Sequence, residues 1–149
     1  RHPIFDARRP AMSETSASTQ LKLKAQIMLG DEIAMGPGKA DLLDAIARTG
    51  SISAAGRALG ISYRRTWLLV DTMNRCWKEP LVETATGGSH GGGARLTDLG
   101  KHVVHSYRDM QRIMSHCADS KEFDQLLHAL RSAPKAVQKT ADTELSHKP

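Results

Sequence analysis

The sequence predicts a fold that is mainly α-helical with small β elements, and three observations point to it. Two helical stretches between Ser51 and Trp77 are separated by Gly60, which suits a tight turn because glycine enters the left-handed region without a steric penalty. Two short strand-like runs flank the glycine-rich loop 87–93, and a long apolar stripe follows over residues 97–118. Together these features predict a winged helix-turn-helix with a long C-terminal dimerisation helix.

Composition favours a small helical domain with an anionic partner. The 149 residues are 40% hydrophobic and only 4% aromatic, with a net charge of +5. Seven basic and three acidic residues lie between Arg48 and Leu96, so most of the positive charge falls on the predicted helix-turn-helix and hairpin. Such a concentration is the electrostatic footprint of phosphate neutralisation, whereas a merely solvated face mixes its charges more evenly.

Two cysteines, Cys76 and Cys117, lie far apart in the sequence and indicate no disulfide scaffold. No apolar run approaches the roughly 20 residues that span a bilayer. We therefore expect a cytoplasmic protein in a reducing compartment, with no membrane partner.

Residues 1–20 lack periodicity and are expected to be a disordered segment, in which Met12 could be the native start. The winged helix-turn-helix with its dimerisation helix is expected over 21–118, a short helix over 119–131 and a disordered tail over 132–149. This organisation leaves room for one domain of modest core.

Strict alternation of apolar and polar residues predicts a half-buried strand over 21–29, and Gly30 starts a turn into a second short strand over 32–35. A helix over 39–48 follows, with Gly50 past its end. It would support the helix-turn-helix from behind.

Ser53 is predicted to cap a first helix over 54–59, and Ser62 a second, longer helix. Small residues suit the place where the two helix backbones come closest, and the sequence supplies Ala54, Ala55 and Gly56. The predicted buried stripe of the second helix contains Thr66, Trp67, Val70, Met73 and Trp77.

The residues off that stripe include Arg64, Arg65, Leu68 and Arg75, and cations crowd the outward N-terminal half of the helix. A recognition helix presents this half to the major groove, where arginine grips guanine or phosphate. The helix-turn-helix residues predicted to contact DNA are Ser51, Ser53, Ser62, Tyr63, Arg64 and Arg65. The alternative is an ordinary helical hairpin with a solvated basic face.

Strands over 81–86 and 94–96, joined by the glycine loop, predict a wing whose tip lies along the sugar-phosphate backbone. Its predicted DNA contacts are Thr86, Gly87, Gly88, Ser89, His90 and Arg95. A nucleotide-binding P-loop would need lysine then serine or threonine, where Ala94 and Arg95 stand. A plain flexible hairpin remains open.

Thr97 is predicted to cap the next helix, whose apolar stripe runs for about five turns. The stripe is longer than the small bundle can cover, so we expect part of it to pair two chains; burial within one chain is the alternative. The predicted dimer residues are Leu99, Val103, Tyr107, Met110 and Met114. The histidines along this helix are spaced too widely for one ion, and neither a metal nor a cofactor is expected.

Three segments resemble the N-terminal DNA-binding domain of the ModE molybdate-responsive regulators, which is itself similar to that of LysR-type proteins. They are AAGRALGISYRRTW, the Met73-Asn74 pair and, most specifically, LVETATGGSHGGGARLTDLG. The resemblance covers about residues 21–114. It implies a homodimeric transcriptional regulator that binds a palindromic operator in double-stranded DNA.

The chain departs from that family beyond Met114, where about 35 residues follow. Full-length ModE proteins carry a pair of molybdate-binding β-barrel modules there, so molybdate is not expected to bind this chain. The predicted function is a sequence-specific regulator on an inverted-repeat operator, with a protein–protein adaptor as the alternative. No nucleophile and base show chemical spacing, and no enzyme activity is expected.

Overall fold

The computed structural model describes residues 17–85 and 93–137. One unit spans Lys22–Cys117, and the described part of a second unit comprises residues 17–21 and 118–137. The elements in chain order are β1 (Ile27–Leu29), β2 (Glu32–Met35), α1 (Pro37–Thr49), α2 (Ile52–Ala58), α3 (Tyr63–Cys76), β3 (Val82–Ala85), β4 (Gly93–Leu96), α4 (Asp98–Ser115) and α5 (Lys121–His128). The mainly α architecture with two small antiparallel sheets is confirmed.

Strands β1 and β2 form a hairpin whose turn contains Gly30 with a φ of 61°. The predicted strand over 21–29 is wrong for its first six residues. β2 offers only four residues to pair with, and the register shifts between Ile27 and Met28, so no ladder continues upstream. The upstream segment is held differently, because the Tyr107 hydroxyl donates a 2.7 Å hydrogen bond to the Ala25 carbonyl.

Helix α1 lies at the centre of the core and buries Ala40, Leu42, Leu43, Ala45 and Ile46. It ends as predicted at Gly50, whose φ of 72° is left-handed, and the Gly50 N–H donates to the Ile46 carbonyl. The Gly50 carbonyl in turn accepts a 2.8 Å hydrogen bond from Ala94 N–H in β4. The end of α1 therefore fixes one strand of the second hairpin.

Helices α2 and α3 form the predicted helix-turn-helix around Gly60, which has a φ of 72°. The predicted cap is two residues late: Ser51, not Ser53, accepts the Ala54 N–H at 3.1 Å. The reason is that Ile52 packs into the core, so the helix begins before Ser53 and ends at Ala58. Sequence alone offered two serines with similar capping tendency.

At Gly56, α2 packs too closely on α3 to accommodate a side chain, as the small-residue pattern predicted. A Cβ on Gly56 would lie 2.1 Å from the Thr66 Oγ1. Thr66 is fully buried with Val70 and Met73, which confirms the centre of the predicted stripe. The prediction is wrong for Trp67, which is exposed, while Trp77 lies past the end of α3 and is partly buried against the core.

Helix α4 begins at the predicted cap, where Thr97 Oγ1 accepts the Gly100 N–H at 2.9 Å. Its first half packs on the core of its own chain, and Val103, Val104 and Tyr107 are buried there. Arg108 then joins α4 to α1 through Asp41 and Asp44, with its Nη2 at 2.8 and 2.7 Å from the two carboxylates.

Part of the predicted dimer stripe is thus core of one chain. Val103 and Tyr107 are buried, and Leu99 and Met110 pack against the same core. Of the predicted dimer residues, Met114 alone lies outside this core, and it is half-buried. Ile113, which flanks the predicted stripe, is 65% exposed. The apolar period thus continues to Met114, whereas the core ends at Met110. Dimerisation itself stays a prediction.

In the second unit, α5 occupies Lys121–His128 and is shorter than the predicted helix over 119–131. Ser120 caps it by accepting the Phe123 N–H at 3.1 Å. None of its residues is buried. Residues 17–20 and 132–137 form neither helix nor strand, while the rest of the two segments predicted to be disordered lies outside the described residues.

Candidate nucleic-acid interface

The N-terminus of α3 is exposed and carries its cap and its cations together. Ser62 Oγ accepts the Arg65 N–H at 3.2 Å, so the predicted cap is confirmed. Tyr63, Arg64 and Arg65 follow in the first turn, and all three are exposed. The positive end of the helix dipole adds to their charge, which makes this turn a favourable place for a phosphate.

Arg64 and Arg65 differ from most other arginines of the unit in having no carboxylate partner among residues 17–85 and 93–137. Arg75 pairs with Asp71 at 2.8 Å, and this hydrogen bond raises the pKa of the Arg75 guanidinium. Arg95 pairs with Glu83 across the wing. The exposed Arg48 and Arg57, in the last turns of α1 and α2, likewise have no carboxylate partner among the described residues. The start of α3 differs from those positions in placing two such arginines side by side at the positive end of a helix dipole.

Lys39 in α1 lies close enough to Arg65 to sense its charge. Burial lowers the pKa of the Lys39 ammonium, and the positive charge of Arg65 lowers it further, against opposing effects of Cys76 and Glu32. Cations are therefore crowded beside the start of α3. An anion bound at Arg65 would relieve that repulsion.

Ser51 and Ser53 lie on the opposite side of an open cleft from the wing. Their hydroxyl oxygens are 3.3 Å apart. Both line the cleft with Trp67 of α3 and with Thr84 and Gly93 of the wing strands. Two of the predicted contact residues are thus brought beside both the recognition helix and the wing, although Ser51 also serves as the cap of α2.

The wing strands pair in the register Val82 with Leu96 through Ala85 with Gly93. Both predicted strands are confirmed, with β3 ending at Ala85. Arg95 is exposed on β4, and its pair with Glu83 must open before it can hold a phosphate. The predicted wing contacts Thr86, Gly87, Gly88, Ser89 and His90 lie outside the described residues.

Asn74 fastens the wing to the recognition helix, a role that the sequence did not reveal. Its Oδ1 accepts the Leu81 and Val82 N–H groups at 2.9 and 3.1 Å, and its Nδ2 donates to the Val82 carbonyl at 3.1 Å. These bonds fix β3 relative to the last turn of α3. The signal in the sequence that could have indicated this role was an amide residue, Asn74, in the last turn of the helix that precedes the wing.

Asn74→Ala is expected to lower the free energy of unfolding by about 2 kcal/mol, because it leaves two backbone N–H groups without their acceptor. Urea denaturation followed by circular dichroism measures this loss. Asn74→Asp is the matched control: it keeps an acceptor for both N–H groups and should retain more stability than the alanine variant. Equal losses would contradict the acceptor role.

Within the described residues, no group of three or more His, Cys, Asp or Glu side chains could hold a metal ion. The same part of the chain has no helix long and apolar enough to cross a membrane.

This geometry, two helices around a glycine turn with a hairpin fastened to the second helix, is that of a winged helix-turn-helix DNA-binding domain. Residues 39–101 match the family of bacterial regulatory helix-turn-helix proteins of the LysR type. These residues, about two fifths of the chain, therefore resemble a LysR-type helix-turn-helix domain. The family is described as one of regulatory proteins.

The resemblance to ModE regulators is confirmed by the relatives that this chain matches. The molybdenum transport protein ModE of Azotobacter vinelandii is 38% identical over 95 residues, which is 62% of this chain and 35% of that protein. The molybdenum-pterin-binding protein MopB of Rhodobacter capsulatus is 48% identical over 73 residues, 49% of this chain and 27% of its own. The DNA-binding transcriptional dual regulator ModE of Escherichia coli is 34% identical over 108 residues, 72% of this chain and 41% of its own. The chain thus spans less than half of each of these relatives.

Proposed function

We propose that this chain regulates transcription by binding double-stranded DNA with α3 in the major groove and the wing against the adjacent backbone. The observation that carries the proposal is the pair of exposed arginines in the capped first turn of α3, Arg64 and Arg65, which have no carboxylate partner among the residues that the structure describes. Phosphate binding at such a turn needs no rearrangement of ion pairs. The DNA-binding regulator named among the relatives supports the same reading.

The contact residues that we propose are those of the first turn of α3, the serines beside α2, and the wing. The wing contribution rests on Arg95 and on the loop that joins β3 to β4. We further propose a homodimer on an inverted-repeat operator, in which the last turns of α4, with the exposed Ile113 and the half-buried Met114, pair the chains. Two recognition helices would then meet major grooves about 34 Å apart.

The proposal is tested by fluorescence anisotropy of the full chain on duplexes selected from a random pool, repeated between 50 and 200 mM salt. Affinity should fall steeply with salt, because binding releases about one counterion for each neutralised phosphate. A protein–protein adaptor with the same fold would select no duplex. Adding molybdate to the same assay tests the prediction that it leaves this chain's DNA affinity unchanged.

Arg64→Ala and Arg65→Ala are each expected to weaken binding to the selected duplex without unfolding the domain, since both side chains are exposed. A base-reading arginine should cost about 1–3 kcal/mol at one base position, whereas a phosphate-binding one should weaken all duplexes and reduce the salt slope by about one. Arg64→Lys separates the two, because lysine keeps the charge but loses the bidentate fork.

Arg131→Ala is the matched control for this pair, because Arg131 is an exposed arginine of the second unit and belongs to neither the proposed DNA contacts nor the proposed dimer surface. It removes the same charge from the chain. Equal losses for Arg131→Ala and the two α3 variants would show that only net charge matters. Unchanged affinity in both α3 variants would refute the recognition-helix assignment.

A further inference from the structure

The outward face of α3 contains an apolar side chain where a DNA-reading helix needs a specific contact. Thr66, Val70 and Met73 point into the core, and the row opposite them carries Arg64 and Leu68 one turn apart. Leu68 is 50% exposed, so the residues that the structure describes leave about half of it uncovered. An aliphatic group here cannot bind phosphate.

The same row ends in charges that neutralise each other. Asp71 and Arg75 continue it at the next turns, and their side chains are joined at 2.8 Å, with Glu32 also 3.6 Å from Arg75. The part of the row free to meet DNA is therefore Arg64 with Leu68. Trp67 lies beside them and lines two open clefts between α3 and the wing strands. The Tyr63 ring packs against the Trp67 ring, with centroids 6.2 Å apart.

We propose that Leu68 is a specificity-determining residue that reads a thymine through its C5-methyl group. This inference rests on the proposed DNA-binding function. On the major-groove edges of the bases, the thymine methyl is the apolar group, so it is the partner that suits an exposed leucine. Four residues of α-helix advance about 6 Å, which is about two base-pair steps, so the thymine lies within two pairs of the base or phosphate held by Arg64.

The test uses the full chain and the duplex selected by it from a random pool. Each thymine is replaced in turn by deoxyuridine, which removes only the methyl group. The wild-type chain should lose about fourfold in affinity at one thymine of each half-site, the value of one buried carbon. Leu68→Ala should bind the thymine and deoxyuridine duplexes equally.

Leu126→Ala is the matched control, because Leu126 is an exposed leucine of α5 and its loss should keep the fourfold preference. Arg64→Ala locates the reference base, and the methyl-sensitive thymine should lie within two pairs of it. A thymine preference that persists in Leu68→Ala overturns the inference, as does a duplex whose affinity no deoxyuridine changes. In both cases duplex binding itself stands, whereas failure to select any duplex overturns the proposed function as well.

Discussion

Val103→Glu is expected to unfold the winged-helix unit, with a loss of at least about 4 kcal/mol in the free energy of unfolding. Val103 is only 6% exposed and packs against the core of its own chain. The substitution removes apolar burial and places an unpaired carboxylate where water is excluded. Because small domains are stable by only about 5–15 kcal/mol, such a loss removes much or all of the margin.

Ile113→Glu is the matched control on the same helix, since Ile113 is 65% exposed and lies ten residues further along α4. It should leave the unit folded by circular dichroism. If the second half of α4 pairs two chains, as we propose, sedimentation should show that this variant is monomeric. A folded, dimeric Val103→Glu would contradict the burial of this residue in the core.

The elements predicted correctly are those whose signals are local. A cap residue, a terminating glycine and a 3.6-residue apolar period all act within a few positions of the helix they specify. Ser62, Thr97, Gly50 and Gly60 each mark a helix end in the structure where the sequence placed one. Ser51 and Ser53 show the limit of such signals, because the choice between them depends on the burial of Ile52 by distant residues.

Contacts between distant residues could not be read from spacing. Arg108 meets Asp41 and Asp44 across more than sixty residues, and Asn74 meets the backbone of β3 through a turn. The same limit affects the candidate site. The sequence counted Arg75 and Arg95 toward the positive charge of the predicted DNA-binding region, but the fold pairs each of them with a carboxylate.

The predictions that failed or were only half right concern apolar patterns without a defined partner. Alternation over 21–29 predicted a strand, yet strand pairing requires a neighbour of equal length, and β2 is too short. The stripe of α4 predicted one surface, whereas the core covers it as far as Met110 and leaves Met114 half-buried. A period identifies which face is apolar, but the rest of the fold decides what covers it.

Gly100→Ala is expected to lower the free energy of unfolding by about 3 kcal/mol, although alanine is the better helix former. Gly100 lies in the first turn of α4, against the backbone of the residues that enter the wing. A Cβ at this position would lie 2.1 Å from the Leu81 carbonyl oxygen. That oxygen cannot move freely, because it accepts the Thr97 N–H at 2.9 Å while Thr97 Oγ1 donates to the Pro80 carbonyl at 2.7 Å. Helix α4 or the entry to β3 must therefore shift, at the cost of an overpacked core.

Gly38→Ala provides the matched control, because a Cβ at Gly38 in α1 would meet nothing within 4 Å. There the usual helix preference should act alone and stabilise the unit by about 0.5–1 kcal/mol. Urea denaturation of both variants measures the free energy of unfolding, which the same glycine-to-alanine change should lower at Gly100 and raise at Gly38. DNA affinity gives a second readout, since a displaced wing entry should weaken binding in Gly100→Ala under conditions in which it remains folded. A Gly100→Ala variant as stable as Gly38→Ala would contradict the close approach of α4 to Leu81. It would also contradict the inference that this contact holds the start of the wing in place beside the recognition helix.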